Sequence, residues 1–196
     1  MKLRIGIIAT LVTLVAALPL SASAWWWQKD RETIIDVALE VNESLGQFNT
    51  LLALVTSDKS VFRRLDSRLN TTVFAPTDDA FDALFTFVED NLCLTPDQYP
   101  SWYIRDVLNY HLVRGKKDST RIFGASKVRM SFGGYVFPNA ADLSLQDNLS
   151  NSLGAANAGI EGGLEGGLFD VAADNGYIHV IDRVLIPYLP PSNCPE

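Results

Sequence analysis

The chain has 196 residues, 47% of them hydrophobic and 20% charged, with a formal net charge of -7. That composition suits one globular domain with a sizeable core. The net acidity, with no basic stripe seen to offset it, argues against nucleic acid as a partner.

The first 24 residues read as a separate unit. Lys2 and Arg4 make a basic start, an uncharged apolar run follows from Ile5 to Leu18, Pro19 breaks it, and Ala22-Ser23-Ala24 offers small residues for cleavage. This is the pattern of a secretory signal peptide of bacterial type, too short for a comfortable membrane span. The protein is therefore expected to be exported, periplasmic or secreted, with no membrane span after signal removal. Losing Lys2 and Arg4 deepens its charge to -9. Export changes the meaning of Cys93 and Cys194, because an even count in an oxidising compartment points to a disulfide. The alternative is two separate thiols, Cys93 packed near a helix and Cys194 in a loose tail.

Residues 25–29 open the exported chain. Trp25, Trp26 and Trp27 cannot all face one side of a regular element. They read as a strap packed on the domain, with a sugar or membrane platform as the alternative. From Thr33 the period becomes helical: Ile34, Val37, Ala38, Val41 and Leu45 recur at three- and four-residue steps, Thr33 is placed to cap, and Gly46 to end the helix. A second helix carries Phe48, Leu51, Leu52 and Val55, and a short third one spans Val61 to Leu65. Thr72, Val73 and Phe74 are strand formers that Pro76 stops. Thr77 then caps a new helix with Asp78 and Asp79 in its first turn and Ala80, Phe81 and Leu84 on its apolar face.

A helix through Trp102, Val107, Leu108 and His111, all placed on its buried side, leads into a short segment ended by Gly115. Strands are expected at Arg121–Phe123, Lys127–Ser131 and Tyr135–Phe137, with Gly133-Gly134 as a hairpin turn. Residues 138–168 hold six of the 13 glycines between Gly154 and Gly167 and read as a long Gly/Ala/Asn-rich surface loop with a helical turn near Leu143–Leu149. Asn157, Glu161 and Glu165 on this loop, with the three tryptophans, are the candidate contact surface. The chain closes with two strands flanking Asn175-Gly176, read as a type I′ hairpin turn, and a tail over residues 188–196.

These motifs, in this order, resemble the fasciclin (FAS1) domain family. The first family block is similar to Thr72–Phe81, with Thr72, Phe74, Pro76, Thr77, Asp78 and Phe81. The family's Tyr-His pair matches Tyr110 and His111. The second block is similar to Asn175–Pro187, with Asn175, Gly176, His179, Asp182 and Pro187. The resemblance covers residues 30–187. It implies an α+β fold, a twisted β-sandwich or wedge with N-terminal and middle helices packed against it. It also implies a non-enzymatic module for cell-surface or matrix adhesion, binding proteins or polysaccharide. Some members carry apolar ligands, so the alternative is a carrier of a carotenoid or lipid. The 138–168 segment is longer than the family usually has there. Asp182–Leu185 only loosely matches the Asp-Ile adhesion motif of animal members.

The chemistry-bearing residues favour the structural reading. A serine hydrolase would need a nucleophile elbow, and no GxSxG is present. His179 alternates with Ile178 and Val180 along a strand, on the face of Tyr177 and Ile181, and reads as a buried neutral strut. Two distant histidines and two distant cysteines do not make a zinc site. The aspartates of Thr77–Asp82 read as capping residues before they read as metal ligands. No phosphate-binding or dinucleotide fingerprint occurs, so no cofactor is expected.

Overall fold

Six consecutive buried residues, Thr71–Pro76, form strand β1 at the centre of the fold. The computed structural model describes residues 32–147, 149, 158–159 and 168–194. Helices α1 (Ile34–Leu45), α2 (Asn49–Ser57) and α3 (Lys59–Leu65) precede β1. Then come α4 (Asp78–Leu92), a 3-10 turn at Pro96–Gln98, α5 (Ser101–Tyr110), β2 (Leu112–Arg114) and α6 (Ser119–Phe123). The remaining strands are β3 (Val128–Arg129), β4 (Tyr135–Asn139), β5 (Ser144–Gln146), β6 (Ala158–Gly159), β7 (Val171–Ala173) and β8 (Gly176–Ile181).

One sheet has the order β2-β1-β8-β7 and the other β3-β4-β5-β6. β1 runs parallel to β8, from Thr71 beside Gly176 to Pro76 beside Ile181, and the other pairings in both sheets are antiparallel. The two-residue period of the strands sorts their side chains into two cores. Val73, Ala75, Ile178 and Val180 face the helices and pack with Ile34, Leu51, Val61 and Leu108. Phe74 and Ile181 face the second sheet and pack with Val113, Ile122, Val128, Val136 and Leu145. The result is helices over sheet over sheet, an α+β sandwich.

Local chemistry explains the helix ends. Thr33 and Asp36 form a reciprocal capping box at the start of α1, and Gly46 ends it in the left-handed region at φ 66°. The Thr77 hydroxyl accepts the Ala80 N–H to start α4. Asp58 accepts the N–H groups of Ser60 and Val61 to start α3.

Four expectations are corrected. Residues 121–123 lie in helix α6, not a strand, because the Asp118 carboxylate caps it from the Arg121 N–H. Trp102 is 50% exposed rather than buried, since the apolar face of α5 is taken by Tyr103, Val107, Leu108 and Tyr110. The opening of the 138–168 segment is sheet: β4 runs to Asn139, and Ser144–Gln146 is strand β5 where a helical turn was expected. The turn before β8 is Asp174-Asn175, because Ala173 already pairs with Gly176. Neither Asn175 nor Gly176 has the positive φ of a type I′ turn.

Gly133 and Gly134 do take positive φ, at 112° and 72°, inside the β3–β4 connection. A disulfide joins Cys93 to Cys194 with a Cα–Cα distance of 4.9 Å. It removes the reading of separate thiols. The segment expected as a loose tail is held down through this bond and the Asn193 N–H to Leu92 O hydrogen bond of 2.9 Å. The signal-peptide segment, Trp25, Trp26 and Trp27, and Asn157, Glu161 and Glu165 lie outside the described residues.

Candidate functional site

The polar residues of the two sequence blocks are placed by β1, β8 and the segments that cross their ends, and their hydrogen-bonding capacity is turned inward. Thr72 donates from its hydroxyl to Gly115 O and accepts from Lys117 N–H, each at 2.8 Å. Asn175 accepts the Ile34 N–H at 2.8 Å and donates to Leu65 O and Ser67 O, each at 2.7 Å. It thereby ties α1, α3 and β8 together. Tyr110 donates its hydroxyl to Tyr135 O at 2.8 Å, linking α5 to the second sheet.

Asp78 does more than begin α4. Its carboxylate accepts the backbone N–H of Thr50 at 2.8 Å and of Asn49 at 3.2 Å, capping α2 from outside. Burial pushes its pKa up, but the hydrogen bonds from Thr50 and Asn49 prevail and hold it below the usual carboxylate value. Phe81 is buried in the helix-side core, Pro76 ends β1, and Asp182 and Pro187 follow β8 in the closing segment.

The two histidines are internal and separate in role. His111 ends α5; its Nδ1–H is donated to Val107 O at 2.8 Å and its Nε2 accepts the Leu185 N–H at 2.9 Å. His179 uses the opposite tautomer: Nε2–H is donated to Lys117 O at 2.9 Å while Nδ1 accepts the Asp170 N–H at 3.4 Å. Burial depresses both pKa values, that of His111 to about 4. The 3.7 Å approach of His179 to the Asp170 carboxylate is therefore not an ion pair near neutral pH. With both nitrogens of each ring engaged, neither imidazole offers a free site for proton transfer or a metal. Among the described residues no group of three or more His, Cys, Asp or Glu is placed to hold a metal ion.

What remains for recognition is the outside, and there one feature was missed in the sequence. A cleft of about 450 Å³ lies between α6 and the β3–β4 connection, lined by Arg114, Lys117, Arg121, Lys127 and Arg129 with Phe132 beside them. The expectation that no basic stripe offsets the acidic chain is thus corrected. Six cations against one acid, Asp118, over residues 114–129 were the available signal. Apolar hollows beneath the helices are far smaller, about 70, 30 and 20 Å³.

The chain has recognisable relatives. The Fasciclin domain family model matches residues 46–187. Protein sll1483 of Synechocystis sp. is 31% identical over 155 residues, covering 79% of this chain and 73% of that protein. The uncharacterized protein sll1735 of the same organism is 31% identical over 148 residues, covering 76% of this chain and 96% of that protein. Among solved structures, a FAS1 domain pair from the insect cell adhesion molecule fasciclin I aligns with a TM-score of 0.49 at 21% identity. That match covers 72% of this chain, which spans 46% of the insect one.

Proposed function

The chain belongs to the fasciclin domain family, and from that premise we propose that it is an exported recognition module that binds a protein or polysaccharide at the cell surface or in the surrounding matrix. The observation that carries this reading is the inward use of the motif residues. Thr72, Asp78, Tyr110, His111, Asn175 and His179 spend hydrogen bonds on the fold itself, so recognition falls to the exterior. The disulfide supports an oxidising compartment, as does the signal-peptide pattern of residues 1–24.

The contact surface of this reading includes Trp25, Trp26, Trp27 and the loop bearing Asn157, Glu161 and Glu165. The test is retention of envelope components by the full-length chain against a variant lacking that loop. Loss of the retained partner on loop deletion is the expected result; unchanged retention removes the loop from the contact surface, and no retention by the full chain overturns the reading. The alternative is a carrier of a small apolar ligand; the apolar hollows given by the described residues, of about 70, 30 and 20 Å³, are smaller than the roughly 300 Å³ of a site for a drug-sized ligand. A visible absorption spectrum of protein from its own host, with a chromophore expected only for a carrier, separates the two.

A further inference from the structure

We propose that the cleft between α6 and the β3–β4 connection binds an acidic polysaccharide, with Arg114, Lys117, Arg121, Lys127 and Arg129 taking its carboxylate or sulfate groups. This rests on the recognition-module reading and names the chemistry of the partner. A volume of about 450 Å³ is ample for a short run of sugar units. Five cations converge on it from three elements and the two loops between them, and among the described residues no carboxylate lines it. Among the described residues none of the five is ion-paired. Asp118, the acid nearest in sequence, is turned onto the start of α6, accepting the Arg121 N–H at 2.9 Å. Among the described residues the Arg121 guanidinium reaches a backbone carbonyl, Lys116 O, at 3.3 Å.

The walls are fixed in place: Ser131 donates its N–H to Leu112 O at 2.7 Å and Phe132 to Asn109 O at 3.1 Å. A guanidinium group can meet a carboxylate or sulfate with two parallel hydrogen bonds. Phe132, 40% exposed, adds an apolar plane for the C–H face of a sugar ring.

The rest of the chain decides the class of polyanion. A net charge of -7 repels a membrane face or a densely charged nucleic acid everywhere but the cleft. A glycan with one charge per sugar, or fewer, can place its charges inside the cleft alone.

The experiment is calorimetric titration of the full-length protein with oligogalacturonate, kappa-carrageenan oligosaccharides (one sulfate per disaccharide), neutral dextran, a single-stranded DNA oligonucleotide and phosphatidylglycerol vesicles. Binding of oligogalacturonate or the carrageenan oligosaccharides, weakened by salt and absent with neutral dextran, is expected, and the stronger of the two identifies the preferred anion. Arg114→Gln with Arg121→Gln should weaken binding roughly tenfold or more. Arg63→Gln with Arg68→Gln, the same charge change at exposed positions outside the cleft's lining, should not. An unchanged thermal midpoint shows that the cleft variant is folded; should it drop, Lys127→Gln with Arg129→Gln serves instead. No acidic-glycan binding, equal loss in both double variants, or tighter binding of the DNA or the vesicles overturns the proposal. If glycan binding fails while envelope retention persists, this inference falls and the module reading stands; if both fail, both fall.

Discussion

Leu185 donates its backbone N–H to Nε2 of His111 across 2.9 Å, pinning the segment after β8 to the end of α5. The ring must stay neutral to accept that proton. Burial pushes its pKa from the ordinary 6.5 down to about 4, against the opposing pull of the Val107 hydrogen bond and the Asp147 charge. The unfolded chain takes up the proton near 6.5, whereas the folded chain refuses it until about 4. The stabilisation is therefore complete above the unfolded value and is lost as pH falls through that window, by about 3 kcal/mol. His179 is shifted in the same direction and adds to the decline. Urea unfolding across this range should show it. His111→Gln should be less stable by about 2–4 kcal/mol near neutral pH, with a shallower decline.

Gly176 is required by space rather than by backbone conformation. A Cβ there would lie 1.7 Å from Thr71 O and 2.7 Å from Ile34 Cδ1. Gly176→Ala must force β8 away from β1, and a loss of more than about 3 kcal/mol is expected. Gly133 is the converse, with φ +112° and nothing within 4 Å of a Cβ. Its alanine variant should cost only about 1–2 kcal/mol through backbone strain. Thermal unfolding of the two variants side by side tests the ranking.

Asp78 and Asp79 are neighbours in the first turn of α4, yet only Asp78 also caps α2. Asp78→Ala should destabilise by about 1–2 kcal/mol and Asp79→Ala by a few tenths. The lowered Asp78 pKa means its contribution is present above the ordinary carboxylate value of 3.8. It is lost as pH falls further, below most of the histidine window. Denaturant midpoints at neutral and acidic pH separate the two effects.

The Cys93–Cys194 bridge spans a sequence separation of 101 residues. In the chain-entropy view a loop of that size is worth about 4–5 kcal/mol. Reduction, or Cys194→Ser, should lower the thermal midpoint, and the Cys194→Ser variant should no longer respond to reductant. A midpoint indifferent to reductant in the parent chain would contradict this.

Much of the scaffold was legible because its signals are local. Thr33 and Thr77 sit where capping chemistry requires, and Thr72–Phe74 and Ile178–Ile181 carry strand patterning whose alternation became the two cores. What escaped the sequence was decided by distant partners. Residues 119–123 lack a strong period, and the helix there depends on Asp118 and on the Asp170 carboxylate, which accepts the Ser119 N–H at 2.7 Å from 51 residues away. Asn175-Gly176 has the letters of a hairpin turn. However, Asn175 is held by Ile34, Leu65 and Ser67, and Gly176 is placed by the carbonyl of Thr71. The cleft was written as a run of cations over residues 114–129, but net charge conceals a local excess of the opposite sign.

The parallel pairing of β1 with β8 sets when this protein can fold. Thr71 waits for Gly176, so ribosomes must deliver more than half of the chain before the central strand acquires its second neighbour. Until then one edge of β1 is an open template. Closing so long a loop is slow, because its entropy is lost before the contacts form. Nascent chains halted before residue 176 should therefore remain protease-sensitive throughout, and resistance should appear in one step once β8 is released. The late strand thus defers closure of the central sheet until synthesis is nearly complete.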